Sequence, residues 1–124
     1  MKAAPIIINN TENDEYYFEE GCFIWELSNS ADDKNLSIAR ARVLPNTATK
    51  LHRLSNTIER YIILEGKGEV ILGEATPVPV SAGDVVIIPE NCPQAIRNTD
   101  NADLVFMVLC TPRFVIENYH ELKQ

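Results

Sequence analysis

Long apolar runs are missing from this chain of 124 residues. Nothing in it approaches the roughly 18 consecutive apolar residues that a membrane-spanning helix needs. The N-terminal stretch has no apolar core of the signal-peptide kind, so the expectation is a cytoplasmic protein with no membrane partner. Basic residues are in deficit, with 11 Lys and Arg against 18 Asp and Glu and a net charge of −7. No segment gathers the Lys and Arg, so a nucleic-acid partner is not expected. The 3 cysteines, Cys22, Cys92 and Cys110, are an odd number without a CxxC pair. That excludes a four-thiolate metal site and argues for reduced, unpaired thiols. Cys92 lies in a loop and would need a nearby base to act as a nucleophile; a small buried thiol is the plainer role. Helical periodicity is almost absent. Only the last dozen residues, RFVIENYHELKQ, place Val115, Tyr119 and Leu122 at helical spacing, which predicts a short C-terminal helix or tail.

What is present is strand and turn. The composition, 45% hydrophobic and 23% charged, suits one globular domain spanning residues 1–124. TENDEYYFEE (11–20) reads as a solvated lead-in. GCFIWELS (21–28) alternates, with Phe23, Trp25 and Leu27 on one face and Cys22, Ile24 and Glu26 on the other. LSIARARV (36–43) alternates as well, Ile38, Arg40 and Arg42 against Ala39, Ala41 and Val43. ERYIIL (59–64), the turn EGKG and EVIL (69–72) read as a hairpin. TPVPV (76–80) has two prolines and so reads as an edge strand. VVII (85–88), QAIRN (94–98) and DLVFMVLC (103–110) complete about nine short strands. This is an all-β, antiparallel sandwich or barrel, whose interior can hold one small ligand.

One stretch is more specific. LHRLSNTIERYIILEGKGEV (51–70) holds His52, then Glu59 seven residues on, a strand and a glycine turn. The spacing from 46 to 98 resembles the two signatures of the cupin family, G(x)5HxH(x)3-4E(x)6G and G(x)5PxG(x)2H(x)3N. The first reads here as Asn46, His52, Leu54, Glu59 and Gly66. The second reads as Gly83, Pro89, Asn91, Gln94 and Asn98. Asn46 and Asn91 stand where the family has glycine, and Asn is the residue that next best tolerates a left-handed turn. The resemblance implies a double-stranded β-helix, the jelly-roll cupin barrel. The family's metal ligands are two histidines and a glutamate in the first motif and a histidine in the second. Their positions are occupied here by His52, Leu54, Glu59 and Gln94. Leu54 has no lone pair, and Gln94 offers only a neutral carbonyl oxygen. The resemblance therefore implies at most a weak metal site at His52, Glu59 and Gln94. No cofactor is firmly expected beyond a loosely bound divalent zinc, iron, nickel or manganese.

The same register gives a pocket. His52 and Glu59 are candidate acid and base, and Leu54, Tyr61, Ile63, Gln94 and Ile96 are candidate ligand contacts by strand alternation. Arg40 and Arg42 form an anion site if their face points inward, and pair with surface acids if it points outward. His120 reads as a surface histidine, with a lid over the barrel mouth as the alternative. Three functions fit these residues. One is an isomerase or epimerase acting on a sugar or carboxylate. The second is a binder that does not turn its ligand over, the third is a structural barrel that acts through dimerisation, and a metal-dependent dioxygenase is the other enzyme reading beside the isomerase. The dioxygenase is the weakest, because iron oxygen chemistry draws on two histidines and a carboxylate. The expected partners are a small-molecule ligand and a second copy of the chain, since Phe23 and Trp25 look too large for one barrel to cover.

Overall fold

The computed structural model describes residues 4–123. A 3-10 turn at Glu12–Asp14 precedes eleven strands: β1 (Tyr16–Phe18), β2 (Cys22–Ser28), β3 (Ser37–Val43), β4 (His52–Leu54), β5 (Ile58–Glu65), β6 (Lys67–Leu72), β7 (Val78–Ser81), β8 (Val85–Ile88), β9 (Gln94–Asn98), β10 (Leu104–Thr111) and β11 (Tyr119–Glu121). They build two antiparallel sheets, ordered β1-β2-β3-β10-β5-β8 and β11-β4-β9-β6-β7. The two sheets enclose one core in a double-stranded β-helix, as alternation of side chains along each strand requires. Along β5, Glu59, Tyr61 and Ile63 point inward and are buried, while Arg60, Ile62 and Leu64 face out. Ile63, Ile88, Ile96, Leu104 and Val43 close one end of the barrel at 0–1% exposure. The other end is left open.

Backbone conformation supports the turn assignments. Asn46 and Asn91 have φ of 58° and 62°, the left-handed values expected of residues standing where glycine is usual. The prolines of TPVPV do sit on an edge strand, β7, paired only with β6.

Three expectations are corrected. EGKG is not a hairpin turn, because β5 and β6 lie in different sheets. Gly66, at φ 84°, lets the chain cross from one sheet to the other; a Cβ there would meet the Asp103 carbonyl oxygen at 2.8 Å. The C-terminal segment forms no α-helix. A single 3-10 turn, Ile116–Asn118, leads into β11, which pairs antiparallel with β4 from Tyr119↔Leu54 to Glu121↔His52. Pairing satisfies the free edge of β4, which a one-sided stripe on a short helix could not do. The lead-in is not simply solvated. Glu15 is paired with both Arg40 and Arg42, at 3.2 and 2.6 Å, and the Arg42 bond holds its carboxyl below the usual range despite some burial.

Arg40 and Arg42 thus face outward and take no part in the barrel interior. Their guanidinium groups lie over the rings of Trp25 and Phe23 at 4.7 and 4.4 Å. The aromatic face that suggested a second copy is therefore covered from within the chain. Other exposed apolar side chains lie on the same sheet: Leu64, Val85 and Ile87 are 46%, 58% and 66% exposed.

Candidate functional site

A cavity of about 420 Å³ occupies the open end. Its floor comes from inward residues of β3, β4, β5 and β10: Ala41, His52, Leu54, Glu59, Phe106 and Cys110. One wall is the N-terminal side, with Phe18, Glu20, Ile24 and Glu26. The other is the chain from the end of β10 to the start of β11, with Arg113 and Phe114 of the connection and Tyr119 of β11. Most of this surface is apolar, and a few polar groups converge at the bottom, which is the usual composition of a small-molecule pocket.

His52 is 1% exposed and held on both ring nitrogens. Nδ1 lies 2.7 Å from the Lys50 carbonyl oxygen, and Nε2 lies 2.8 Å from Glu20 Oε1. A carbonyl can only accept, so Nδ1 carries a proton, and the carboxylate opposite Nε2 favours a second. Burial pushes the imidazole towards the neutral form. The Glu20 carboxylate, with the Lys50 carbonyl and Glu59, outweighs that, and the affinity for the proton ends above the ordinary histidine value. Tyr119 stacks on the ring at 5.0 Å, nearly parallel. The buried Cys22 thiol donates to the other oxygen of Glu20 at 3.2 Å. Its own ionisation is pushed far up by burial and by that same carboxylate, so it is not a nucleophile at neutral pH.

Glu59 is the opposite case. It is 8% exposed, and its Oε1 has no hydrogen-bond partner. Its Oε2 receives a long contact from the Cys110 thiol, 3.9 Å. Burial first, then repulsion from Glu20, push this carboxyl up to about 7, against the opposing pull of His52, Gln94 and Cys110. A second polar atom, the Tyr119 hydroxyl, is also buried without a partner at this cavity. Two unsatisfied polar atoms on one cavity mark a place where a ligand supplies the missing bonds.

Of the residues expected at the site, His52, Leu54 and Glu59 line the cavity. Gln94 lies opposite His52 in the β4–β9 pairing, but its Oε1 accepts from the Tyr61 hydroxyl at 2.6 Å. Gln94 and Tyr61 are thus bonded to each other inside the barrel and are not among the residues lining the cavity. Ile63 and Ile96 belong to the packed core beneath it. Their direction, inward, was readable from alternation, but their depth along the barrel was not. His120 does not reach the mouth; its Nε2 pairs with Ser55 Oγ at 3.0 Å.

Glu20, Tyr119 and Arg113 were not expected. The one hint for Glu20 is the glycine after it, Gly21 at φ 110°, which reverses the chain so that the acid returns over β4. Nothing local points to Tyr119, which reaches the cavity because β11 folds back along β4, or to Arg113, which follows the end of β10.

A two-sheet barrel with strand-borne polar groups at an open mouth defines the double-stranded β-helix class. Within it, the chain belongs to the cupin family: the cupin-domain family model matches residues 39–110. It is 32% identical over 116 residues, 90% of this chain and 92% of the other, to an uncharacterised protein of Methanocaldococcus jannaschii. It is 35% identical over 71 residues to a Thermotoga maritima oxalate-binding protein, a match covering 57% of this chain and 58% of that one. Among solved structures, a predicted oxalate decarboxylase of Thermotoga maritima superposes with a TM-score of 0.75 at 24% identity, over 86% of this chain and 99% of the other. A Streptomyces nucleoside dehydratase superposes with a TM-score of 0.78 at 14% identity, over 95% and 92%. At these identities the two structures share the fold.

Cupins often bind a metal, and the residues present do not fit one. Leu54 fills a ligand position with an apolar side chain at 3% exposure. The Oε1 of Gln94 is taken by Tyr61, and both nitrogens of His52 are occupied. Among the described residues, no group of three or more His, Cys, Asp or Glu side chains is arranged to hold an ion.

Proposed function

We propose that this cupin binds a small organic molecule in the barrel mouth and moves a proton on it through Glu59, in the manner of a one-base isomerase. The observation that carries the reading is the carboxyl of Glu59. It is buried, faces a ligand-sized cavity, lacks a partner on Oε1 and gains or loses its proton near pH 7. A general base works best when its proton affinity matches the working pH. As carboxylate, Glu59 takes a proton from the ligand and then returns it to a neighbouring atom. His52 does not exchange protons in this scheme, because both of its N–H groups are committed. It supplies a fixed positive charge beside the reacting centre, held by Glu20. A single free proton carrier favours isomerisation over two-base epimerisation.

The oxalate-binding name of the Thermotoga relative supports a small-molecule ligand in this family. One observation favours binding without turnover: with His52 saturated, no second acid is in reach. The two readings separate in heavy water. A metabolite mixture incubated with the protein in D2O gains deuterium at one position if Glu59 exchanges protons, and Glu59→Gln abolishes the gain. No deuterium in any component, with a ligand nevertheless retained, leaves the binder.

We also propose a homodimer formed through the outer face around Leu64, Val85 and Ile87, which puts apolar surface out of water. Ile87→Glu is expected to shift a sedimentation profile from dimer to monomer. A wild-type monomer at all concentrations refutes it.

A further inference from the structure

With Arg40 and Arg42 pointing away, a different arginine lies at the cavity. Arg113 stands just after β10 and is the only Arg or Lys among the residues lining the space. Its Nη1 donates to Asn29 Oδ1 at 3.0 Å. Asn29 is itself fixed by donating to Glu26 Oε2 at 2.7 Å and to the Phe114 carbonyl at 3.0 Å. The amide orientation is thus set by two acceptors, and its oxygen is left for the guanidinium. Arg40, Arg42 and Arg97 each have a carboxylate partner. Arg113 makes no ion pair among the described residues, so the rest of its planar fork is open to a carboxylate in the two-bond geometry that arginine favours.

We infer that the ligand is a monocarboxylate with a compact apolar body, its carboxylate held by Arg113 and its other end set against Glu59. This rests on the proposed function and adds the substrate class. The surfaces between the two groups, Ile24, Leu54, Phe106, Val108 and Phe114, carry no charge. They suit a hydrocarbon body and would strip water from a charge without repaying it. A dianion such as oxalate has no hydrocarbon to bury. Its second carboxylate would meet Glu59 and Glu20, and the one cation beside them, His52, is already paired with Glu20. An amine would gain from Glu26 and Glu117 at the rim but would face Arg113.

Four probes of similar size test this: isovalerate, its neutral amide isovaleramide, isopentylamine and oxalate, each titrated by calorimetry and by thermal unfolding. Isovalerate is expected to bind and raise the melting temperature in a concentration-dependent way, with the other three at least about tenfold weaker, the loss expected when a charged hydrogen-bond pair is missing. Arg113→Gln removes the preference for acid over amide, and Arg113→Lys restores part of it. Both variants keep the wild-type unfolding midpoint without ligand within a few degrees, which reports an intact fold. The inference is overturned if amide or amine binds as well as the acid, if oxalate binds tightest, if Arg113→Gln leaves the preference unchanged, or if isovalerate does not bind. Failure of the proposed function looks different: isovalerate still binds through Arg113, yet no small monocarboxylate exchanges a proton with D2O in a Glu59-dependent way.

Discussion

Replacing Glu59 by Gln is expected to stabilise the protein at high pH and to do almost nothing at low pH. In the unfolded chain the carboxyl ionises near 4.5; in the folded barrel, burial and Glu20 hold it at about 7. The folded state therefore grips this proton more tightly than the unfolded state does. Stability from this group is complete below about 4.5, declines as pH rises between the two values, and is gone above about 7. The interval is worth roughly 3 kcal/mol at about 1.4 kcal/mol per tenfold change in proton affinity. Gln has nearly the same shape and cannot ionise, so the variant lacks this slope. Carboxylates such as Glu15, whose environment is unchanged, titrate equally in both proteins and cancel from the difference. His52 also favours its protonated form when folded. Its contribution is present below the ordinary histidine value and is lost as pH climbs past its raised one. Glu59 adds a little to that affinity, so its removal trims the gain at neutral pH. The assay is urea unfolding of both proteins from pH 5 to pH 9, a range on the order of the proton-affinity interval above. The advantage of Glu59→Gln is expected to be already under way at pH 5, just above the unfolded value, and to grow by roughly 2–3 kcal/mol across the range. A difference that stays flat with pH, or a wild type that is the more stable protein in alkali, refutes the buried, unpartnered carboxyl as the source.

Three further outcomes follow from the geometry. Leu54→His puts an imidazole back at the family's ligand position, but both nitrogens of His52 stay bonded to Lys50 and Glu20; calorimetry is expected to show no stoichiometric zinc binding in this variant, and tight binding would refute the reading that His52 is fully committed. The metal-free variant is expected to lose about 1.5–3 kcal/mol, the worth of burying a leucine. Glu20→Gln withdraws the carboxylate that keeps His52 protonated, so burial prevails: an NMR titration is expected to find the imidazole ionising below its wild-type value, with about 1.5–3 kcal/mol lost at pH 6, the typical worth of a hydrogen bond to a charged group. Gly66→Ala forces a Cβ against the Asp103 carbonyl in a left-handed conformation and is expected to cost about 1–3 kcal/mol in denaturant unfolding.

Legibility varied with the range of the interaction concerned. The inward direction of Glu59, Tyr61 and Ile63 followed from period-two alternation, and the turns at Asn46 and Asn91 from a backbone preference carried by one residue. Motif spacing brought His52 and Glu59 to one cavity across two sheets. The helical reading of the tail failed because its competitor, the free edge of β4, lies more than 60 positions away in sequence. The hairpin reading failed because EGKG is compatible with either a return or a crossing, and the contact that decides, Asp103 against Gly66, is also remote.

By itself the sequence determined the all-β class, the strand faces and the turns at Asn46 and Asn91, because each is a property of residue type and local period; the expectation of a missing ligand at Leu54 came from the resemblance to the cupin motifs. Only the tertiary structure decided what His52 pairs with, that Gln94 is spent on Tyr61, that Arg40 and Arg42 are neutralised outside, and that Glu20, Tyr119 and Arg113 reach the cavity. Those are meetings between segments distant along the chain, and their chemistry arises from burial: a carboxyl in water ionises near its ordinary value, whereas Glu59, shut inside a barrel beside another acid, holds its proton to about 7.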